Sequence, residues 1–315
     1  RDWSSDVCSS DLIYNLLNLM YPADYNHFFN FEISLLANPT NSEVKVINDK
    51  IQPFFTRTTK NELGVPPTNN DKIIKVSSSS EELQLFNILF SRYKTNQLAL
   101  FAKIMQLESS PSMLLEKLDL KEFEELLDLS GNHEDLVEYI DYSQDIEDLV
   151  NQIEITSKMQ ALLSLIKDIV SQSKTAITWC IFVKTMYDLK HYLNSMGIRA
   201  EVISGSVHQE ERNEIISRFK NKEIDILITN PHTLAESVSL HQTCHDAIYF
   251  EYSYNLVHLL QSKDRIHRLG LKDDDYTQYY YFQQNYSLEN GNYSLGERIY
   301  NRLSEKEQLM LDAID

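Results

Sequence analysis

"AITWCIFV", residues 176–183, is an unbroken apolar run in a polar and acidic chain. A run of this length without alternation is what a strand buried on both faces requires. Its neighbours repeat the theme: "RAEVIS" (199–204), "IDILIT" (224–229), "DAIYF" (246–250) and "YTQYYYF" (276–282) are short apolar or aromatic runs of strand type. Between them lie helical periods, in "SKMQALLSLIKDIV" (157–170), in "TMYDLKHYLNSMG" (185–197), which Gly197 ends, and in "HQEERNEIISRFK" (208–220). Strands alternating with helices imply right-handed crossovers. The expected fold class is therefore α/β, a mostly parallel sheet with helices on both faces.

Upstream the pattern is different. Residues 13–36 begin with helical spacing at Ile13, Leu16, Leu17 and Met20, which Pro22 ends. "INDKIQPFFTRTTKNELGVPP" (47–67) reads as a short helix and a loop, broken at Pro53 and again at Pro66 and Pro67. "DKIIKVSSS" (71–79) reads as a strand and residues 81–107 as one long helical stretch. From 115 to about 155 carboxylates dominate, but apolar residues recur every three or four positions, so acidic amphipathic helices are expected there. Residues 1–12, "RDWSSDVCSSDL", have no initiator Met and no period. They resemble translated sequencing-adapter read-through and are set aside as a non-native artefact, with the expectation that the chain is a fragment lacking its true N-terminal part.

Composition removes several classes. No window approaches 18 consecutive apolar residues, so no membrane-spanning helix is expected, and no secretory signal is visible. The three cysteines, Cys8, Cys180 and Cys244, are odd in number and scattered. They make neither a disulfide framework nor a metal pattern, and the expected compartment is the reducing cytoplasm. A net charge of −18 argues against a generic nucleic-acid coat. It leaves room for a local basic groove, because screening confines charges to about 8 Å at physiological salt.

One stretch concentrates cations against that background: "QSKDRIHRLG", residues 261–270. Set on a helix, Gln261, Arg265 and Arg268 fall at i, i+4 and i+7 as one stripe, with Leu256, Leu259 and Ile266 roughly opposite. The stretch comes after the strand "DAIYF" and is expected near the carboxyl ends of the strands, where open α/β sheets bind ligands. Two readings fit the spacing: a solvated amphipathic face, with the arginines paired to Asp264 or Asp273, or two guanidiniums aimed at an anion.

In order, the second half reads "CIFVKTMYDL", "VISGSVHQEERNEIISRFK", "IDILITNPHTLAESVSLH" and "AIYFEYSYNLVHLLQSKDRIHRLG". Ordered blocks of this kind resemble the second RecA-like lobe of superfamily 2 helicases, and most closely the SWI/SNF-related ATPases that translocate on double-stranded DNA. "QSKDRIHRLG" resembles their last helicase motif, and "ISGS" with Arg212 and Phe219 their Asp-Gly-Ser block. "PFFTRTTK" with "VPP" resembles the segment joining their two lobes. "IYNLLNLMYP" resembles the stretch just past the last motif of the first lobe, and "SLGERIYNRLSEKEQLMLDAI" the closing helix. The resemblance implies residues 13–112 as the end of a first lobe with a mainly helical inter-lobe connector, 113–156 as an acidic helical segment, and 157–315 as the second RecA-like helicase C-terminal domain.

The resemblance assigns Arg265 and Arg268 as arginine fingers on the γ-phosphate of ATP, with Gln261 supporting the nucleotide; His267 reads as structural. Arginine suits the task, being always protonated and a planar donor fork, and by analogy such a finger is worth about 10³–10⁵ in rate. It also implies Thr229, Ser237, Lys184 and Ser206 near the DNA backbone, where hydroxyls and amides contact phosphates without reading sequence. The plainer alternative is that Thr229 ends a strand and Ser237 caps a helix. Arg57 and Lys60 fit the joining segment or a solvated turn. Ser237 and Ser239 stand where the family has glycines and His241 where it has asparagine. This Ala-Glu-Ser form resembles bacterial helicase-like proteins, some tied to restriction or phage defence.

An NTPase also needs a Gly-rich loop ending in Gly-Lys-Ser/Thr and an acidic Mg²⁺ ligand. None of the seven glycines is followed by lysine, and no Asp-Glu box occurs. The expectation is half an ATPase site, with ATP and Mg²⁺ held mainly by a missing N-terminal RecA-like lobe and no hydrolysis by this chain alone. The competing expectation is a non-catalytic RecA-like scaffold that binds partners through its acidic helices. A doubly wound dinucleotide enzyme is disfavoured because no G-x-G-x-x-G turn is present.

Overall fold

The computed structural model describes residues 18–21, 29, 41–51, 58–116, 143–231, 233–234, 238–289 and 291–314. Among the described residues, six parallel strands form the sheet: β1 (Lys72–Ser77), β2 (Ala176–Trp179), β3 (Ala200–Ile203), β4 (Ile226–Thr229), β5 (Asp246–Tyr249) and β6 (Gln278–Leu288). Their spatial order is β1-β6-β5-β2-β4-β3, and a short β7 (Gly291–Tyr293) pairs antiparallel to the end of β6. The chain leaves β2 toward β3 on one side and passes from β4 to β5 on the other. The strand order therefore reverses between β2 and β5.

Each apolar run is a strand because both its faces are covered. Ile177, Trp179, Leu227, Ala247, Tyr249, Tyr279 and Tyr281 enter one core. The alternate residues Ala176, Ile226, Ile228, Ile248, Phe250, Tyr280 and Phe282 enter the other. The second core is closed by α5 (Ser157–Ser171) and α6 (Val183–Ser195). The first is closed by α2 (Ser80–Tyr93), α3 (Gln97–Ser109), α7 (Gln209–Lys220), α8 (Leu256–Lys263) and α9 (Leu295–Ile314), together with α4 (Gln144–Gln152). Helix α1 (Asn41–Ile51) precedes β1 and packs against α9. Tyr249 and Tyr281 stack at 4.7 Å between ring centroids and Phe86 stacks on Tyr286 at 4.2 Å, so aromatics knit sheet to helices.

The run 176–183 is shorter as a strand than its composition suggests. β2 stops at Trp179 because the Glu251 carboxylate takes the amides of Ile181 (2.6 Å) and Phe182 (2.9 Å) out of the ladder. The long helix expected over 81–107 is two helices: Asn96 accepts the amide of Ala99 and caps the second. β1 lies in the segment expected as a connector, yet it pairs with β6 from Lys72↔Tyr280 to Ser77↔Asn285. Connector and lobe thus share one sheet. Glu82 ties them further. It closes the capping box with Ser79 and accepts from the Ser157 amide and hydroxyl and from the Gln284 amide. Residues 1–12, most of the acidic segment and Ile13, Leu16 and Leu17 lie outside the described residues. No described helix is long and apolar enough to cross a membrane.

Candidate functional site

Residues 261–270 leave the sheet edge where they were expected. Helix α8 starts near the carboxyl end of β5, capped by Asn255, whose side chain accepts the amide of His258 at 2.9 Å. Eight residues rise about 12 Å, roughly the length of a four-residue strand. The helix therefore returns the chain to the segments that enter the sheet: the Leu240 amide donates to the Arg265 carbonyl (2.9 Å) and the His267 ring meets the Pro66 carbonyl (2.8 Å). The arginines lie beside Leu240 and Pro66, not at the carboxyl ends of the strands.

The helical stripe of Gln261, Arg265 and Arg268 is also corrected. Gln261 is on α8, but the helix ends at Lys263. Tertiary contacts end it. The Lys263 carbonyl accepts from the Tyr279 hydroxyl (3.2 Å), the Arg265 and Ile266 amides turn back to Ser262 and Lys263, and Ile266 is fully buried. Lys60 donates to the Asp264 carboxylate and to the His267 carbonyl, pinning the joining segment to this turn. Lys60 is thus held by this turn although 41% of its side chain is exposed. Arg57 lies outside the described residues.

With the helix broken, both guanidiniums remain neighbours. Burial and the Arg268 charge pull the Arg265 side chain below its usual pKa, with Asp264 opposing. Arg268 is exposed and donates to the Ser239 hydroxyl at 2.9 Å. Among the described residues no carboxylate ion-pairs with Arg268, so the surface salt-bridge reading does not describe it. His267 is structural as expected. A carbonyl can only accept, so Nε2 carries the proton toward Pro66, and Nδ1 faces the Lys60 ammonium at 3.4 Å. Burial first, and the Lys60 charge as well, lower its pKa and keep the ring neutral. Gly270, at φ +106°, lies against His241, where an added Cβ would stand 3.0 Å from Nε2. Ser239 and His241, two of the three departures from the family pattern, are thus the residues that meet Arg268 and Gly270. Neither was marked as a site residue from the sequence, though their position opposite the glycine and asparagine pattern was the available signal.

The residues expected at DNA are spread differently. Thr229 is fully buried and gives its hydroxyl to the Ile203 carbonyl (2.8 Å), tying β4 to β3. It ends a strand, and Asn230 comes next at the sheet edge. Ser206 is exposed; its hydroxyl meets Ser204 at 2.9 Å, and Ser204 meets the Tyr187 hydroxyl at 3.3 Å. Arg212 props this turn from behind, donating to the carbonyls of Ser204, Gly205 and Val207. Lys184, one turn before Tyr187, pairs with Glu116 at 3.2 Å. Ser206, Lys184 and Tyr187 make one surface, and Tyr187, 43% exposed, was missed because an isolated tyrosine on a helix has no motif. Ser237 lies outside the described residues. Among the described residues no group of three or more His, Cys, Asp or Glu could hold a metal ion.

Residues 157–270 match the family described as "Helicase conserved C-terminal domain". Over 153 residues the chain is 26% identical to "Helicase SWR1" of Candida albicans, covering 48% of this chain and 9% of that protein. Over 238 residues it is 22% identical to "SWI/SNF chromatin-remodeling complex subunit snf22" of Schizosaccharomyces pombe, covering 72% of this chain and 13% of that protein. The chain thus spans about a tenth of the length of the curated relatives it matches. Among solved structures, the C-terminal part of the Fun30 ATPase domain has the same fold, with a TM-score of 0.53, 14% identity, and coverage of 80% of this chain and 98% of that one.

Proposed function

We propose that this chain, a RecA-like C-terminal lobe of the SWI/SNF-related superfamily 2 helicase type, completes an ATPase that moves on double-stranded DNA. Arg265 and Arg268 stabilise charge developing on the γ-phosphate of ATP, and Gln261 supports the nucleotide. ATP and Mg²⁺ are held mainly by a facing lobe that carries the Gly-Lys-Ser/Thr loop and the acidic Mg²⁺ ligand. The observation that carries this reading is the pair of guanidiniums: burial first and the Arg268 charge second lower Arg265, against Asp264, and Arg268 donates to the neutral Ser239 hydroxyl. Two like charges held together favour an added anion, which is what a phosphate receptor needs. A scaffold has no use for that arrangement. The Lys184, Tyr187 and Ser206 surface, together with Ser237, contacts the DNA backbone; Thr229 shapes it from beneath.

The test is phosphate release. The 315-residue chain alone should release no more phosphate with DNA present than its Arg265→Ala/Arg268→Ala variant. Joined to a first lobe with an intact phosphate loop, Arg268→Ala should lower kcat by about 10³ or more and move KM for ATP little. ATP turnover by the isolated chain well above the double variant, or an Arg268→Ala protein within about tenfold of the parent, refutes the assignment.

A further inference from the structure

Three consecutive residues, Ser239, Leu240 and His241, each meet the turn that carries the arginines. The Ser239 hydroxyl accepts from the Arg268 guanidinium at 2.9 Å, the Leu240 amide donates to the Arg265 carbonyl at 2.9 Å, and the His241 ring covers Gly270. The loop can hold what it touches because its middle residue is fixed. The Leu240 side chain is buried in the first core, and its carbonyl accepts the amides of Thr243 and Cys244, both at 2.9 Å. Ser239 and His241 flank that anchor. An arginine side chain is long and flexible, so an exposed guanidinium samples many directions unless something holds it. Arg268 is such a side chain, and the Ser239 hydroxyl holds it.

The His241 contact depends on charge. The ring is buried, and its Nδ1 has no hydrogen-bond partner. Its Nε2 edge faces Gly270, 3.0 Å from where a Cβ would stand. An imidazolium has two N–H groups to place, and here Nδ1 has no acceptor. The charges around the ring also oppose a second proton. Arg268 on the turn, His245 at the entry to β5 and Lys220 at the end of α7 all disfavour it. Asp275, on the segment leading into β6, favours it and lies 4.0 Å from His245 Nε2. Burial first, and then the Arg268 charge, set the ring below the ordinary imidazole pKa. A neutral ring can lie against the turn, whereas a charged one repels Arg268.

We propose that Ser239 and His241 are positioning residues for the arginine pair: Ser239 sets the direction of the Arg268 guanidinium, and His241, while neutral, holds the Gly270 end of the turn. The inference rests on the arginine reading above and deepens it. Both residues act through Arg268 and touch no nucleotide themselves. The guanidinium is aimed before ATP arrives, so the nucleotide does not have to order it on binding. Acidification releases the brace, because a proton on His241 adds a like charge beside Arg268.

NMR of the 315-residue chain tests the His241 half, with the histidine rings, the Gly270 amide and the Arg268 Nε–H followed from pH 8 to pH 5. His241 should remain mostly neutral at about pH 6.5, where an ordinary imidazole is half protonated. Its protonation below that pH should move the Gly270 amide and the Arg268 Nε–H together. His241→Asn, which cannot take the proton, should abolish that movement. A His241 ring already half charged at pH 6.5, or an acid shift of Arg268 that survives His241→Asn, overturns the role given to His241. Turnover in the joined ATPase described above tests the Ser239 half. Ser239→Ala should lower kcat about tenfold, the worth of a hydrogen bond to a charged group, with KM for ATP nearly unchanged and the thermal melt in place. Ser239→Thr should restore the rate. In an Arg268→Ala background Ser239→Ala should cost nothing further, because its effect passes through that guanidinium. If Arg268→Ala loses about 10³ while Ser239→Ala stays within twofold of the parent, the brace fails and the arginine reading stands. If Arg268→Ala itself stays within about tenfold, the arginine reading fails, and the brace fails with it because the side chain it aims has no part in hydrolysis.

Discussion

Replacing Glu108 by glutamine should remove a pH dependence from the stability of this lobe. Glu108 lies on α3 with 4% of its surface exposed, its Oε2 3.6 Å from the Lys158 ammonium and its Oε1 without a partner. Lys158 is as deeply buried and sits over the Phe250 ring at 4.9 Å. A void of about 20 Å³, room for one water, is bordered by both residues and by Ser109 and Glu251. Burial pushes the Glu108 carboxyl up to about 7, the nearby charges of Glu82 and Glu251 add to it, and Lys158 opposes. The folded pKa is thus above the unfolded value of 4.5. The stability it contributes is complete below about 4.5 and lost as pH rises through about 7, in total about 3 kcal/mol. Urea unfolding of the parent and of Glu108→Gln at pH 5, 6, 7 and 8 reads it directly. The glutamine cannot ionise, so the parent should lose about 2.5 kcal/mol relative to the variant between pH 5 and pH 8. Two pH profiles that stay parallel within about 0.5 kcal/mol would show that Glu108 keeps an ordinary pKa, and the desolvation reasoning would fail.

Gly270→Ala should destabilise the chain by about 1–3 kcal/mol, because its φ of +106° is strained for any side chain and the new methyl would meet His241 at 3.0 Å. A lower Tm with no change in the circular dichroism of the folded state checks it; an unchanged Tm sinks it. Glu251→Gln keeps the shape but gives the Ile181 and Phe182 amides a neutral acceptor in place of a carboxylate. The expected loss is about 1–2 kcal/mol in urea unfolding at pH 7. No loss would mean that backbone geometry alone ends β2. Cys180 and Cys244 are buried and burial pushes both thiols up, Cys244 to about 12. Neither should react with maleimide at pH 7 until the chain is unfolded, and mass spectrometry of the labelled native protein would expose an error.

The strands were legible because a residue buried on both faces has one solution. Ile177 and Ile228 face opposite cores, so both positions must be apolar whatever the helices do. The residue types of the arginine pair were legible for a similar reason: Arg265 and Arg268 stand out in a chain of net charge −18. Their geometry was not. Periodicity assumes that a helix continues until a local signal stops it, and "QSKDRIHRLG" contains none before Gly270. The stop comes from Tyr279, Leu240 and Lys60, the last of them some two hundred residues away in sequence. Residue types that name a chemistry can therefore be read in a line of sequence, while the angle at which two arginines meet is fixed by whichever distant groups claim the carbonyls between them. The same holds at the other end of the sheet, where a cavity of about 260 Å³ sits between the ends of β2, β4 and β5. Nothing near Trp179 in the sequence announces it, because its walls come from four loops that only the strand order brings together. Thr229 shows the converse. The family resemblance places it near DNA phosphates, but its hydroxyl is buried and donates to the Ile203 carbonyl of the parallel neighbour, which is the plainer reading of a strand end.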